Sequence, residues 1–184
     1  MYVVTYTGKF AFIKPWTAVR DGETFSQQFL TPSMVEGIEK KLFPELLPET
    51  GIKKILRHKL SYHTMSSQQE VTQPRGWDYK NRTFLRSRSV LKRSILLDPK
   101  LHLAFECEED AQRASLQHVC LCRNEDVLLP HPEIRIMTEE EFSELPGFEL
   151  RFGSSDQSFL VGYNRFDECS PMYGWLEHNG ASLL

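Results

Sequence analysis

Six cations and two aromatic rings crowd the middle of this chain. Lys80, Arg82, Arg86, Arg88, Lys92 and Arg93 fall between Asp78 and Asp98 with no acid among them. Trp77 and Tyr79 stand beside Arg75, so planes able to stack on bases are interleaved with charges able to hold phosphates. Upstream, Thr31-Pro32-Ser33 brings two hydroxyls to a helix start, where free backbone N–H groups favour an anion. A third group, Arg57-His58-Lys59-Leu60-Ser61-Tyr62-His63, offers two candidate general bases, a lysine and a tyrosine. On a strand it divides, His58 with Tyr62 on one face and Lys59 with His63 on the other. Each group has a plain structural alternative: an ordinary helix cap, a solvated basic loop, and a strand with solvated polar positions.

Charge is segregated along the 184 residues. Residues 1–50 carry five basic and six acidic side chains, residues 51–97 eleven and two, and residues 98–184 six and seventeen. The net charge of −3 argues against a generic nucleic-acid binder, whereas the basic middle is the footprint expected of phosphate contact. The acidic last third pairs with that middle, faces a basic protein neighbour, or keeps nucleic acid off its side. At 40% hydrophobic and 26% charged, the chain reads as a single domain over 1–184 with a real core. No apolar run is long enough to span a membrane, and no leader is visible at the N-terminus, so a soluble cytoplasmic protein is expected. Of the four cysteines, Cys120 and Cys122 form a C-x-C pair with no second pair or histidine nearby. That spacing predicts free thiols in a reducing compartment, with no metal site and no cofactor.

The elements that must position these groups follow from periodicity. Residues 2–7 alternate as a strand. Met34, Val35, Ile38 and Leu42 recur at helical spacing over 32–43. Strands are predicted over 52–62, 90–97, 101–107, 148–152 and 159–166, with a short one over 118–122. Residues 108–117 read as a helix, and Thr138-Glu139-Glu140-Glu141 is a capping box opening another that stops before Pro146-Gly147. The polar stretch 63–86 is long for a plain connection, and reads as a functional excursion or a flexible loop. The order predicts an α+β fold of ferredoxin-like type, RRM-like in having helices on one face of the sheet.

Three blocks resemble the "Cas five" group of CRISPR-associated proteins, the small RAMP subunit of Cascade-type surveillance complexes. They are Gly8-Lys9-Phe10-Ala11-Phe12 with Lys14-Pro15; Phe25-Ser26 through Thr31-Pro32-Ser33 to Gly37-Ile38; and Gln157-Ser158-Phe159-Leu160-Val161-Gly162-Tyr163-Asn164-Arg165-Phe166. The second block is the strongest. The third departs by one inserted residue and by Asn164-Arg165 where the family has Arg-Glu. The flavour is nearest subtype I-C or a related minimal system.

The resemblance implies a RAMP domain with an inserted thumb, falling here at about 63–86. It implies an RNA-binding subunit that caps the 5′ handle of the CRISPR RNA, contacts the backbone and large subunits, and meets target DNA indirectly. Thr31, Ser33, Trp77, Arg82, Arg86, Arg88, Lys92 and Arg93 are then the candidate RNA contacts. Cutting members of the family carry a tyrosine at the end of the Thr-Pro-Ser helix, where this chain has Phe43, so no catalytic residue is carried over. The alternative is a metal-independent endoribonuclease relocated to His58, Lys59, Tyr62 and His63. A second alternative is a protein-only interaction module working through the acidic last third.

Overall fold

The computed structural model describes residues 1–15, 22–72, 76–86, 88–121, 123–164 and 168–180. Arg75, Cys122, Arg165 and Phe166, each used in the sequence reading, lie outside the described residues. The chain begins with β1 (Tyr2–Thr7), β2 (Phe10–Ala11), β3 (Glu23–Phe25) and α1 (Pro32–Leu42). Then come β4 (Ile55–Ser61), β5 (Thr64–Thr72), β6 (Asp78–Lys80), β7 (Thr83–Leu85), β8 (Ser89–Leu97), β9 (Lys100–Phe105) and α2 (Glu108–Ser115). It ends with β10 (Val119–Cys120), β11 (Val127–Ile136), α3 (Glu139–Glu144), β12 (Gly147–Phe152), β13 (Phe159–Asn164) and β14 (Ser170–Asn179).

Eight strands form one sheet in the order β10-β11-β1-β9-β4-β12-β14-β13, paired antiparallel throughout. Four of them, β11-β1-β9-β4, make a unit with α1 on the path from β1 to β4 and α2 on the path from β9 to β11. Alternation along β1 separates two faces. Val4 and Tyr6 join Val35, Ile38 and Leu42 of α1 and Ala111 and Ala114 of α2 in the main core. Val3 points the other way and meets Ala104 and Phe142 of α3. The Tyr6 hydroxyl donates to the Ala114 carbonyl at 2.8 Å, and burial raises its pKa.

Local chemistry starts α1 and α3 where expected. Thr31 stands at the N-cap of α1 with extended backbone and Pro32 follows, while Thr138 and Glu141 complete the capping box of α3. Glu39 of α1 is fully buried. Its carboxylate accepts from the backbone N–H groups of Lys53, Lys54 and Ile55 at 2.9, 2.6 and 2.8 Å, fixing the entry into β4.

Two long strands were not expected. β11 contains Pro130 and Pro132, which argue against a strand interior. The structure resolves the conflict through an open edge: β10 pairs only with Val127 and Leu128, so β11 beyond them has β1 on one side alone. In β14, Gly174 is required by close approach, because a Cβ there would lie 2.4 Å from the Arg151 carbonyl oxygen.

The described residues of 63–86 include three strands, β5, β6 and β7. β5 pairs with β8 over nine residues, from Thr64 opposite Leu97 to Thr72 opposite Ser89. On its other side β8 takes β2 at Leu96 and Leu97, and β3, in parallel, at Lys92 to Ser94. Beyond the pair lies a smaller hairpin of β6 and β7, turned by Asn81 and Arg82 at φ 51° and 58°. Two successive positive φ values are the requirement of a two-residue hairpin turn matched to strand twist. The excursion predicted over 63–86 therefore extends further along the chain, as a β ribbon in which Thr64–Thr72 pairs with Ser89–Leu97. Among the described residues no helix is long and apolar enough to cross a membrane.

Candidate nucleic-acid interface

The ribbon carries most of the basic segment. Lys80, Arg82, Arg86, Arg88 and Lys92 are all exposed. Arg82 sits in the β6–β7 turn, and the Arg86 guanidinium lies over the Trp77 ring, 4.6 Å from its centroid. Tyr79 and Phe84 face each other across β6 and β7 with centroids 4.9 Å apart, both about two-thirds exposed. Such rings gain little from folding, because their apolar area stays in water, and they present planes on which a flat group can stack. Valines 71 and 90, opposite each other on β5 and β8, extend the exposed apolar surface.

Arg93 differs from its neighbours. Its Nε donates to Glu70, and its guanidinium lies 5.1 Å from the Phe12 ring centroid, so it ties the ribbon down rather than standing free. Alternation along β8 explains this, since Arg93 faces opposite to Lys92.

At the start of α1, the Thr31 hydroxyl bonds that of Ser33 at 3.1 Å, and neither caps the helix. The N–H groups of Met34 and Val35 both donate to the Thr31 carbonyl. Two exposed hydroxyls are present there, but two of the N–H groups read as free are already bonded.

The four residues of the alternative catalytic group are split by the fold. His58 is buried, stacked on Phe152 at 5.7 Å, and burial depresses its pKa to about 4. Its Nε2 has no hydrogen-bond partner among the described residues. Lys59 is buried on the opposite face, where Nζ donates to the carbonyls of Phe142, Ser143 and Leu145 at 3.3, 2.8 and 3.0 Å. A cation closing the C-terminal end of a short helix is a structural role. Beside it, Arg57 is held by Glu149 through Nε at 3.1 Å and Nη2 at 2.5 Å. Of the alternative group of four, His58 and Lys59 are thus parts of the interior, because β4 lies inside the sheet with both faces covered.

Tyr62 and His63 do reach the surface. With Gln28, Phe148, His178 and Asn179 they line a cleft of about 440 Å³ at the foot of the ribbon. The sequence reading missed Phe148 and His178, which lie about ninety and more residues away; nothing local announces that β12 pairs with β4 and β14 with β12. Phe43, which closes α1, is fully buried and edge-on to Phe105 at 5.9 Å. No group of three or more potential metal-ligating side chains occurs among the described residues.

The fold is similar to that of a chain in a solved CRISPR RNA-guided surveillance complex, with a TM-score of 0.50 and 14% identity, over 96% of this chain and 88% of that one. At such identity the likeness is one of fold. No family model matches the chain, and no curated protein matches it in sequence.

Proposed function

We propose that this chain is an RNA-binding subunit of a CRISPR surveillance complex, capping the 5′ handle of the CRISPR RNA and contacting the backbone and large subunits. The β11-β1-β9-β4 order, with helices after the first and third strands of the unit, is read as a ferredoxin-like RAMP domain. The ribbon Thr64–Leu97, inserted between β4 and β9, is read as its thumb. The observation that carries the reading is the ribbon itself: a row of exposed cations leading to exposed aromatic rings, which suits a single strand better than a duplex. The fold likeness to a chain of such a complex supports it.

The role is binding rather than cleavage. Phe43 offers no hydroxyl and is enclosed, and a basic surface holds a phosphodiester chain without any general base.

The test is purification of the chain together with the products of its neighbouring genes. A discrete small RNA with a uniform 5′ end should travel with it, and incubation with repeat RNA in EDTA should leave that RNA intact. Absence of any bound RNA would remove the proposal, and a single discrete cut would replace it with the endoribonuclease reading.

A further inference from the structure

We infer, on the RNA-binding reading, that the cleft at the foot of the ribbon holds one unpaired base of the bound strand. Its walls are aromatic. The Tyr62 and Phe148 rings lie within 15° of parallel with centroids 6.4 Å apart, and His178 continues the series 6.3 Å from Phe148 at 45°. Its rim is polar: Gln28 and His63 supply amide and imidazole groups around the flat walls, while the Asn179 amide is held in place by the Ser143 and Glu144 carbonyls and the Gly180 N–H. Among the described residues no hydrogen bond engages the imidazole nitrogens of His63 or His178, so both remain available to a base edge. At about 440 Å³ the cleft is of ligand-pocket size, and the combination of stacking planes with a few directional polar groups is the chemistry that recognises a splayed-out base.

The site is built into the fold. Gly147 opens β12 at φ 129°, and a Cβ there would lie 2.5 Å from the Leu60 carbonyl oxygen. Only glycine lets β12 come close enough to β4 to set Phe148 beside Tyr62. His63 also stands at the ribbon's root, where its N–H donates to the Leu97 carbonyl. Residue Met65, on β5, accepts weakly from the Gln28 amide. Cleft and ribbon are therefore continuous, and a strand held along the cations of the ribbon leads to the aromatic walls at its foot.

Two measurements separate the cleft from the ribbon. The first is NMR titration of the full chain with adenosine monophosphate and uridine monophosphate. Resonances of His63 and His178 should shift saturably, and His178→Ala or Phe148→Leu should abolish the response. The second is the affinity for a short single-stranded RNA as a function of salt. Stacking displaces few counterions, so the two cleft variants should weaken binding roughly tenfold with an unchanged slope of log K against log salt. Arg88→Ala in the ribbon should lower that slope by roughly one. Both cleft variants are checked by thermal unfolding, and exposed His178 keeps the test decisive if Phe148→Leu destabilises the sheet. Unshifted cleft resonances with an intact salt slope would overturn the cleft and leave RNA binding standing. Cleft shifts without any RNA affinity would overturn the RNA-binding reading, and mononucleotide binding with unweakened RNA affinity would reassign the cleft to a free nucleotide.

Discussion

Buried polar residues decide how this chain responds to substitution and to pH. Glu39 satisfies three backbone N–H groups in the interior, so Glu39→Ala orphans all three at once. Denaturant unfolding should show a loss of roughly 2–4 kcal/mol, with Glu39→Gln costing less because one acceptor survives. His58 and His102 are both buried, and burial brings each down from 6.5 to about 4, aided in His102 by Arg135, Lys100 and Lys59. Between those values the unfolded chain binds protons that the folded chain refuses. Stability should therefore fall as pH drops from about 6.5 towards about 4, by on the order of 3 kcal/mol for each histidine, whose contribution is exhausted below that. His58→Phe, which keeps a ring against Phe152, should flatten the dependence of the urea midpoint on pH in that window. An unchanged slope would refute the assignment.

The ribbon separates from the sheet as an element. Thr72 lies directly opposite Ser89, so an Asn-Gly turn joining them in place of residues 73–88 closes the hairpin in register. That shortened chain should keep the far-ultraviolet circular dichroism of a folded protein, because the core lies in the eight-stranded sheet and at the ribbon's base around Leu96. Its RNA affinity should fall, with the salt slope reduced by roughly one unit for each phosphate contact removed. Full affinity after the deletion would dismiss the ribbon as an RNA-binding element. Gly147→Ala tests the opposite end: a side chain at φ 129° against the Leu60 carbonyl should destabilise the protein and disorder the cleft, whatever is bound.

Across the whole molecule, charge separation outweighs net charge. Nine residues of β5 span about 30 Å, several times the roughly 8–10 Å over which salt screens a charge. The tip cations are consequently not cancelled by acids on the main sheet. A protein of net charge −3 should still be retained on heparin at low salt, and joint replacement of Arg82, Arg86 and Arg88 by glutamate should release it. The sequence by itself determined what short-range sterics control: the Thr31-Pro32 and Thr138–Glu141 helix starts, the strand predicted over 101–107, and the crowding of cations between Asp78 and Asp98. These signals arise within a few residues of backbone and read the same in any fold. Only the tertiary structure decided which of the reactive-looking residues are available. His58 and Lys59 went inside because strands on both sides of β4, and helices over both faces, enclose them. Pro130 and Pro132 fit a strand because β10 stops short. Tyr62 and His63 met Phe148 and His178 because antiparallel pairing brings β12 beside β4, and β14 beside β12, from far along the chain. Burial and juxtaposition are set by partners remote in sequence, and no local pattern carries that information.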